Sequence, residues 1–225
     1  MKKALALTLI AITGFSMVAF ISPETFTDGS FEGVITYSTS SVNSLAAQPS
    51  KQQSTTKFYI KGSKMKTIIG GSSFITTTIT DCSDPENYAV LMDVNGSKYN
   101  VKHDKTPKVK DPVINYTNET KTIAGYTCHK AEVTVFIDST RSINEEVYYT
   151  TDITSNFCGH EYKGLKGFPL EWVAKFAATT RTTTAVSIDK QSISNDEFNI
   201  PPGYKVVTQE EMSQDIQKNM GGKGK

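Results

Sequence analysis

Apolar and polar residues alternate along much of this chain with the two-residue period of β-strands. Residues 31–38 divide into two faces, with Phe31, Ile35 and Tyr37 on one and Glu32, Val34 and Thr36 on the other. The same alternation recurs in residues 170–176 and 182–189, which we predict to form a hairpin. Because alternation over four to eight residues is typical of half-buried strands, the pattern predicts a mainly β protein.

Short turn sequences join further runs into hairpins. Gly62-Ser63 separates residues 56–61 from 64–69, and Asn95-Gly96 separates residues 88–94 from 98–102. Asn-Gly is a strong hairpin signal because both residues tolerate positive φ. Additional strands are predicted at residues 73–80, 127–137 and 146–152.

Nine or ten strands in sequential hairpins imply antiparallel pairing, and a sheet of that size must curl, close or split. We therefore predict a single curved antiparallel sheet or incomplete barrel over residues 31–207, with a short C-terminal helix. Thr208 and Glu211 fit a capping box that starts this helix at about residue 209. The helix and a frayed tail make up residues 208–225.

The N-terminus carries a different pattern. Lys2 and Lys3 precede an uncharged apolar run from Ala4 to Ile21, as in a secretory signal peptide. We predict that residues 1–21 are removed and that 22–30 form a linker. An uncleaved N-terminal anchor is the alternative. No cysteine lies near the end of the run, so the predicted location is periplasmic or secreted, without lipidation and without stable membrane insertion after cleavage.

Charge limits the classes of partner. Without Lys2 and Lys3, the 24 basic residues become 22 against 23 acidic residues, a net charge of −1. Nucleic-acid partners need a basic face for phosphate, so we expect none.

Three cysteines, Cys82, Cys128 and Cys158, permit one disulfide in an oxidising compartment and leave one thiol. Three pairings are open from the sequence. Cys128–Cys158 is the pairing that we favour.

Four segments in one order resemble a known family. They are residues 31–37 (FEGVITY), 122–131 (TIAGYTCHKA), 164–171 (GLKGFPLE) and 198–204 (FNIPPGY). Together they resemble the exported bacterial domain-of-unknown-function family numbered 4412, common in Bacteroidetes, and more loosely the GLPGLI family. The resemblance implies the half-barrel fold of the lipoprotein carriers LolA and LolB and a location in the cell envelope. It supplies no catalytic residues. The chain differs from the carriers in having one predicted helix where they use helices to cover the concave face.

Candidate chemistry is sparse. Phe168, Trp172 and Phe176 form an aromatic cluster that would line an apolar pocket on a concave sheet, and His129 lies on the apolar face of its predicted strand. Packing in the core is the alternative for all four. Cys158 and His160 are close in sequence, but zinc sites usually have four ligands at recognisable spacing, so we predict no metal and no cofactor.

These observations favour a non-enzymatic periplasmic or secreted binding protein, with a lipid or other apolar ligand in the concave face of the sheet. The alternative is a structural or protein-interaction module of the cell envelope with no small ligand, whose partner would be an envelope protein. No nucleophile elbow, metalloprotease helix or phosphate loop is present, so catalytic residues are predicted to be absent.

Overall fold

A computed structural model describes residues 30–43, 45, 52–71, 74–103, 109–155 and 157–221. The predicted signal peptide and all of the predicted linker except Ser30 lie outside these residues. Within them, twelve strands form one sheet. The strands are β1 (Glu32–Asn43), β2 (Gln52–Lys61), β3 (Lys64–Gly70), β4 (Phe74–Asp81), β5 (Asp84–Val94), β6 (Ser97–Val101), β7 (Val113–Ile123), β8 (Tyr126–Phe136), β9 (Ser142–Thr150), β10 (Phe168–Phe176), β11 (Thr179–Lys190) and β12 (Lys205–Val207).

The strand order is β12-β6-β5-β4-β3-β2-β1-β11-β10-β9-β8-β7. Every neighbouring pair is antiparallel except β12 and β6, which are parallel. The sheet is open and curved, and one α-helix lies at the C-terminal end of the described residues. The predicted fold class is therefore confirmed.

Turn chemistry explains the hairpins that the sequence predicted. Gly62 has φ 58°, while Asn95 and Gly96 have φ 51° and 85°. Positive φ at both central residues gives a turn whose twist matches that of the flanking strands. The β7–β8 turn also has positive φ at both Ala124 and Gly125, and the β10–β11 turn has positive φ at Ala177.

Two strands were not expected from the sequence. Strand β7 is mostly exposed and polar, so it lacks the alternation that marks a half-buried strand. Strand β12 has three residues and pairs in parallel with β6. The pairing of β7 with β8 is also irregular between Tyr116 and Thr120.

Strand β1 has buried side chains on both faces of the sheet. On one face, called here the inner face, Ile35 and Tyr37 of β1 have no exposed surface. On the outer face, Val34 packs with Ile193 and Phe198 of the segment 191–204, which connects β11 to β12. Gly33 allows close packing within the sheet, since a Cβ there would lie 2.3 Å from the carbonyl oxygen of Asp189.

Two further segments pack against the sheet. Residues 151–155 and 157–167, called here the cover segment, lie between β9 and β10, and Tyr162 and Leu165 pack against Val147 and Ala131 on the inner face. Helix α1 (Gln209–Gly221) packs Met212 against Tyr99, beside the short edge strand β12.

The predicted capping box of α1 is confirmed. The Glu211 amide donates to Thr208 Oγ1 at 3.2 Å, and the Thr208 amide donates to Glu211 Oε2 at 2.8 Å. Among the residues that the structure describes, no helix combines the length and apolar character needed to span a bilayer.

Candidate functional site

A large cavity lies between the inner face of the sheet and the cover segment. Its volume is about 1750 Å³, and it is partly open to solvent. Strands β1–β5, β10 and β11 contribute residues to one side, and the cover segment with residues 109 and 111 contributes to the other. We call this cavity the trough.

The trough lining changes character along three neighbouring strands. On β2, Phe58 is followed toward the start of the strand by Thr56 and Ser54. Strand β1 runs antiparallel to β2 and β11, so Thr39 lies opposite both Ser54 and Thr183. Beyond this hydroxyl row, Ser41 lies opposite Arg181. The lining is thus apolar at one end of these strands, rich in hydroxyl groups further along, and cationic at the other end.

Aromatic side chains form the apolar part of the trough. Trp172 lies with its ring centroid 5.2 Å from that of Tyr37 and 6.0 Å from that of Tyr162. The ring of Phe157, on the cover segment, packs against that of Phe58, with their centroids 5.9 Å apart. Such contacts provide apolar surface with fixed geometry.

Ionisable groups lie beneath and beside the cover segment. Tyr162 donates to Oε2 of Glu145 at 2.5 Å, and both side chains are buried. Burial raises the pKa of Glu145, while the Tyr162 hydrogen bond opposes that rise. Burial also raises the pKa of Glu161, which lines the trough.

A disulfide joins the two sides of the trough at its apolar end. Cys82, in the β4–β5 turn, is bonded to Cys158 of the cover segment, with their Cα atoms 4.9 Å apart. The favoured Cys128–Cys158 pairing is therefore wrong. Cys128 lies inside β8 with no exposed surface, whereas the cover segment brings Cys158 to the β4–β5 turn. Burial raises the pKa of the Cys128 thiol to about 11.

The structure does not bring the four predicted pocket residues together in the trough. Trp172 lines it, but Phe168 is fully buried in the adjoining core. Phe176 is 37% exposed at the end of β10, beside Arg181. His129 is exposed, with its ring 6.0 Å from that of Tyr149 and outside the trough lining.

Sequence reasoning missed Glu145, Tyr162 and Arg181. Glu145 occupies an otherwise apolar alternation of Ile143, Val147 and Tyr149 on β9, which was a usable signal. Arg181 interrupts the run of threonines from residue 179 to 184. Among the described residues, no group of three or more His, Cys, Asp or Glu side chains is arranged to hold a metal ion.

Comparisons with known proteins identify neither a family nor a curated relative: no family model and no curated protein matches the chain. The resemblance to the family numbered 4412 therefore stays a prediction.

Solved structures similar to this chain include PNGF-II, with 16% identity and a TM-score of 0.50. The match covers 83% of this chain but only 34% of that one, so this chain spans about a third of the length of PNGF-II. At this identity the likeness concerns the fold alone.

Two other similar structures are a LolA superfamily protein from Nitrosomonas europaea and the Mycobacterium tuberculosis lipoprotein LppX. The first has 6% identity and a TM-score of 0.39, over 76% of this chain and 91% of that one. The second has 8% identity and a TM-score of 0.38, over 72% of this chain and 89% of that one.

Proposed function

We propose that this chain is a non-enzymatic binding protein that holds an amphiphilic ligand, such as a lipid, in the trough. The observation that carries the proposal is the gradient of the lining on β1, β2 and β11, from Phe58 through Thr39 and Thr183 to Arg181. A molecule with an apolar part and a polar end would match both ends of this gradient.

The size of the trough supports a ligand larger than an ordinary metabolite. Small-molecule sites usually occupy about 300–1,000 Å³, whereas the trough has a volume of about 1750 Å³. Its partial openness would let part of the ligand remain in water. A purely apolar ligand fits less well, because the threonine and serine hydroxyls in the lining would lose hydrogen bonds to water on binding it.

We further propose that the protein acts in the cell envelope, as a periplasmic or secreted, non-lipidated protein. The leader pattern of residues 1–21 supports export. The Cys82–Cys158 disulfide supports it independently, because disulfides persist mainly in oxidising compartments.

Native mass spectrometry after gentle purification, together with titration of long-chain amphiphiles, tests the binding function. Trp172 is the only tryptophan and lines the trough, so its fluorescence should change on binding. The double variant Thr67→Phe/Thr78→Phe places two large rings side by side on neighbouring strands of the trough and should abolish binding.

Val186→Phe provides the matched control, because Val186 is 58% exposed and lies outside the trough lining. This variant should bind like the parent protein. Repeatedly empty protein with no response to any amphiphile would exclude the binding function.

A second candidate function is a protein-interaction module of the envelope. Exposed apolar side chains lie together where β3 ends and β4 begins, at Ile69, Phe74 and Ile75. All three positions lie at the same end of the antiparallel sheet. Crosslinking in the envelope should then recover a partner that Phe74→Ser/Ile75→Ser, outside the trough lining, loses and Thr67→Phe/Thr78→Phe retains. Recovery that is equal with both variants would count against this function.

A further inference from the structure

Arg181 is a cation at the polar end of the trough that makes no direct ion pair with the residues that the structure describes. The chain has two arginines, and the other, Arg141, is bonded to Asp138 with Nε 2.6 Å from Oδ2. Arg181 lines the trough and makes no ion pair with any carboxylate among the described residues. Its guanidinium carbon lies 5.5 Å from the centre of the Phe176 ring, so one face packs on an aromatic side chain while its N–H groups remain available.

Hydroxyl groups lie near Arg181 on the neighbouring strand β1 and on its own strand β11. Ser41 is the cross-strand neighbour of Arg181 on β1, and Thr39 and Thr183 form the next pair along, with their hydroxyl oxygens 2.9 Å apart. Ala174 is the neighbour on β10 and is too small to cover the guanidinium. Guanidinium and hydroxyl groups together offer a set of hydrogen-bond donors for an oxyanion.

Two acidic side chains also face this region, and their positions bear on the choice of ligand. Glu145 lies beyond Ala174 in the same row of the sheet, where its carboxyl accepts the Tyr162 hydrogen bond. Glu161 is held on the cover segment over Gly159. Neither forms a direct ion pair with Arg181. The charge of Arg181 nevertheless acts on Glu145 and partly offsets the rise in the pKa of Glu145 that burial causes.

We propose that Arg181 binds the anionic group, a carboxylate or a phosphate, of an amphiphile whose apolar part lies against Phe58 and Trp172. This inference rests on the proposed binding function and names the chemical class of its ligand. The guanidinium fork makes two hydrogen bonds to the anionic group. Further donors are the hydroxyl of Ser41 and that of whichever of Thr39 and Thr183 accepts the hydrogen bond within their pair. The hydrocarbon part extends toward the end of the trough that the Cys82–Cys158 disulfide lines.

The test compares ligands of one chain length with different polar ends, followed by Trp172 fluorescence on the whole protein. A long-chain fatty acid and an alkyl phosphate should bind, and the matching fatty alcohol should bind more weakly. Arg181→Gln should weaken the fatty acid and the alkyl phosphate by about tenfold or more while leaving the alcohol unchanged, because only charged ends gain from the guanidinium. Arg181→Lys should restore part of the loss, and Arg141→Gln should behave like the parent protein.

The remaining outcomes separate this inference from the function on which it rests. Equal losses for the acid and the alcohol, or no loss for either, would overturn the role of Arg181 while leaving amphiphile binding in place. Inorganic phosphate that binds as tightly as the alkyl phosphate, and depends on Arg181, would show a site for free anions instead. If the parent protein binds none of these molecules, the binding function fails and this inference fails with it.

Discussion

Tyr162 donates its hydroxyl hydrogen to Glu145 at 2.5 Å, which ties the cover segment to strand β9. Glu145 is 8% exposed and Tyr162 4% exposed, so water has little access to either group to substitute for this hydrogen bond. The contact fixes one wall of the trough on the sheet, and the other side of the cover segment is fixed by the disulfide.

Tyr162→Phe should lower the free energy of unfolding by about 2 kcal/mol, because the variant leaves a buried carboxyl group without its donor. Urea unfolding monitored by circular dichroism measures the change. Tyr126→Phe is the control, since the Tyr126 hydroxyl makes no hydrogen bond to any other described residue and its ring packs against a second buried cluster, which contains Phe168. Equal effects in the two variants would contradict the role given to this hydrogen bond.

Glu145→Gln should flatten the pH dependence of stability. The folded protein raises the pKa of Glu145 above the ordinary value of 4.5, so the folded state binds more protons than the unfolded state between these two values. Stability therefore falls as the pH rises from 4.5 through the raised pKa, and changes no further above it. The amide variant carries no charge and should be at least as stable as the parent near neutral pH. Unfolding curves across this pH range that run parallel for the two proteins would exclude the effect.

Cys82→Ser should lower the free energy of unfolding by about 4 kcal/mol, because the disulfide closes a loop of large sequence separation in the unfolded chain. The two cysteines are 76 residues apart. A dithiol reductant should have the same effect on the parent protein, and should add nothing to the variant. A variant that matches the oxidised parent in urea would contradict this pairing.

Thiol labelling checks the same pairing by another route. The parent protein should show no reactive thiol when folded and one when unfolded, because Cys128 is buried and its pKa is raised to about 11. Peptide mapping should place the label on Cys128. A label on Cys82 would indicate the Cys128–Cys158 disulfide instead.

Gly33→Ala should destabilise the protein by about 2 kcal/mol, since the added Cβ meets the Asp189 carbonyl oxygen at 2.3 Å inside the sheet. Gly71→Ala is the matched control, because a Cβ there has no neighbour within 4 Å. Thermal unfolding of both variants gives the comparison. Equal melting temperatures would show that β1 and β11 can move apart without cost.

The fold was largely predictable because its signals are local. The turn at Asn95-Gly96 depends on two residues that tolerate positive φ. The alternation of strands such as β1 and β8 is likewise visible within a few neighbouring residues. Strand β7 escaped prediction for a related reason. It lies at the edge of the sheet, where exposure removes the alternation on which recognition depends.

The trough was harder to predict because it depends on contacts between distant residues. The partner of Cys158 follows from the path of the cover segment over the sheet, which no spacing in the sequence encodes. Phe168 and Trp172 lie on the same strand, and both side chains are aromatic. A register shift between Pro169 and Glu171 separates them, and the former is in the core while the latter lines the trough.

The irregular stretch of β7 between Tyr116 and Thr120 bears on how separate copies of this protein behave at high concentration. A flat outermost strand offers its free backbone groups to any other extended chain, and sheets that end in this way tend to polymerise. Here the regular ladder is interrupted partway along that strand, and the opposite border consists of only three residues beside a helix. Neither border provides a long template for fibre growth, so concentrated solutions should stay free of filaments.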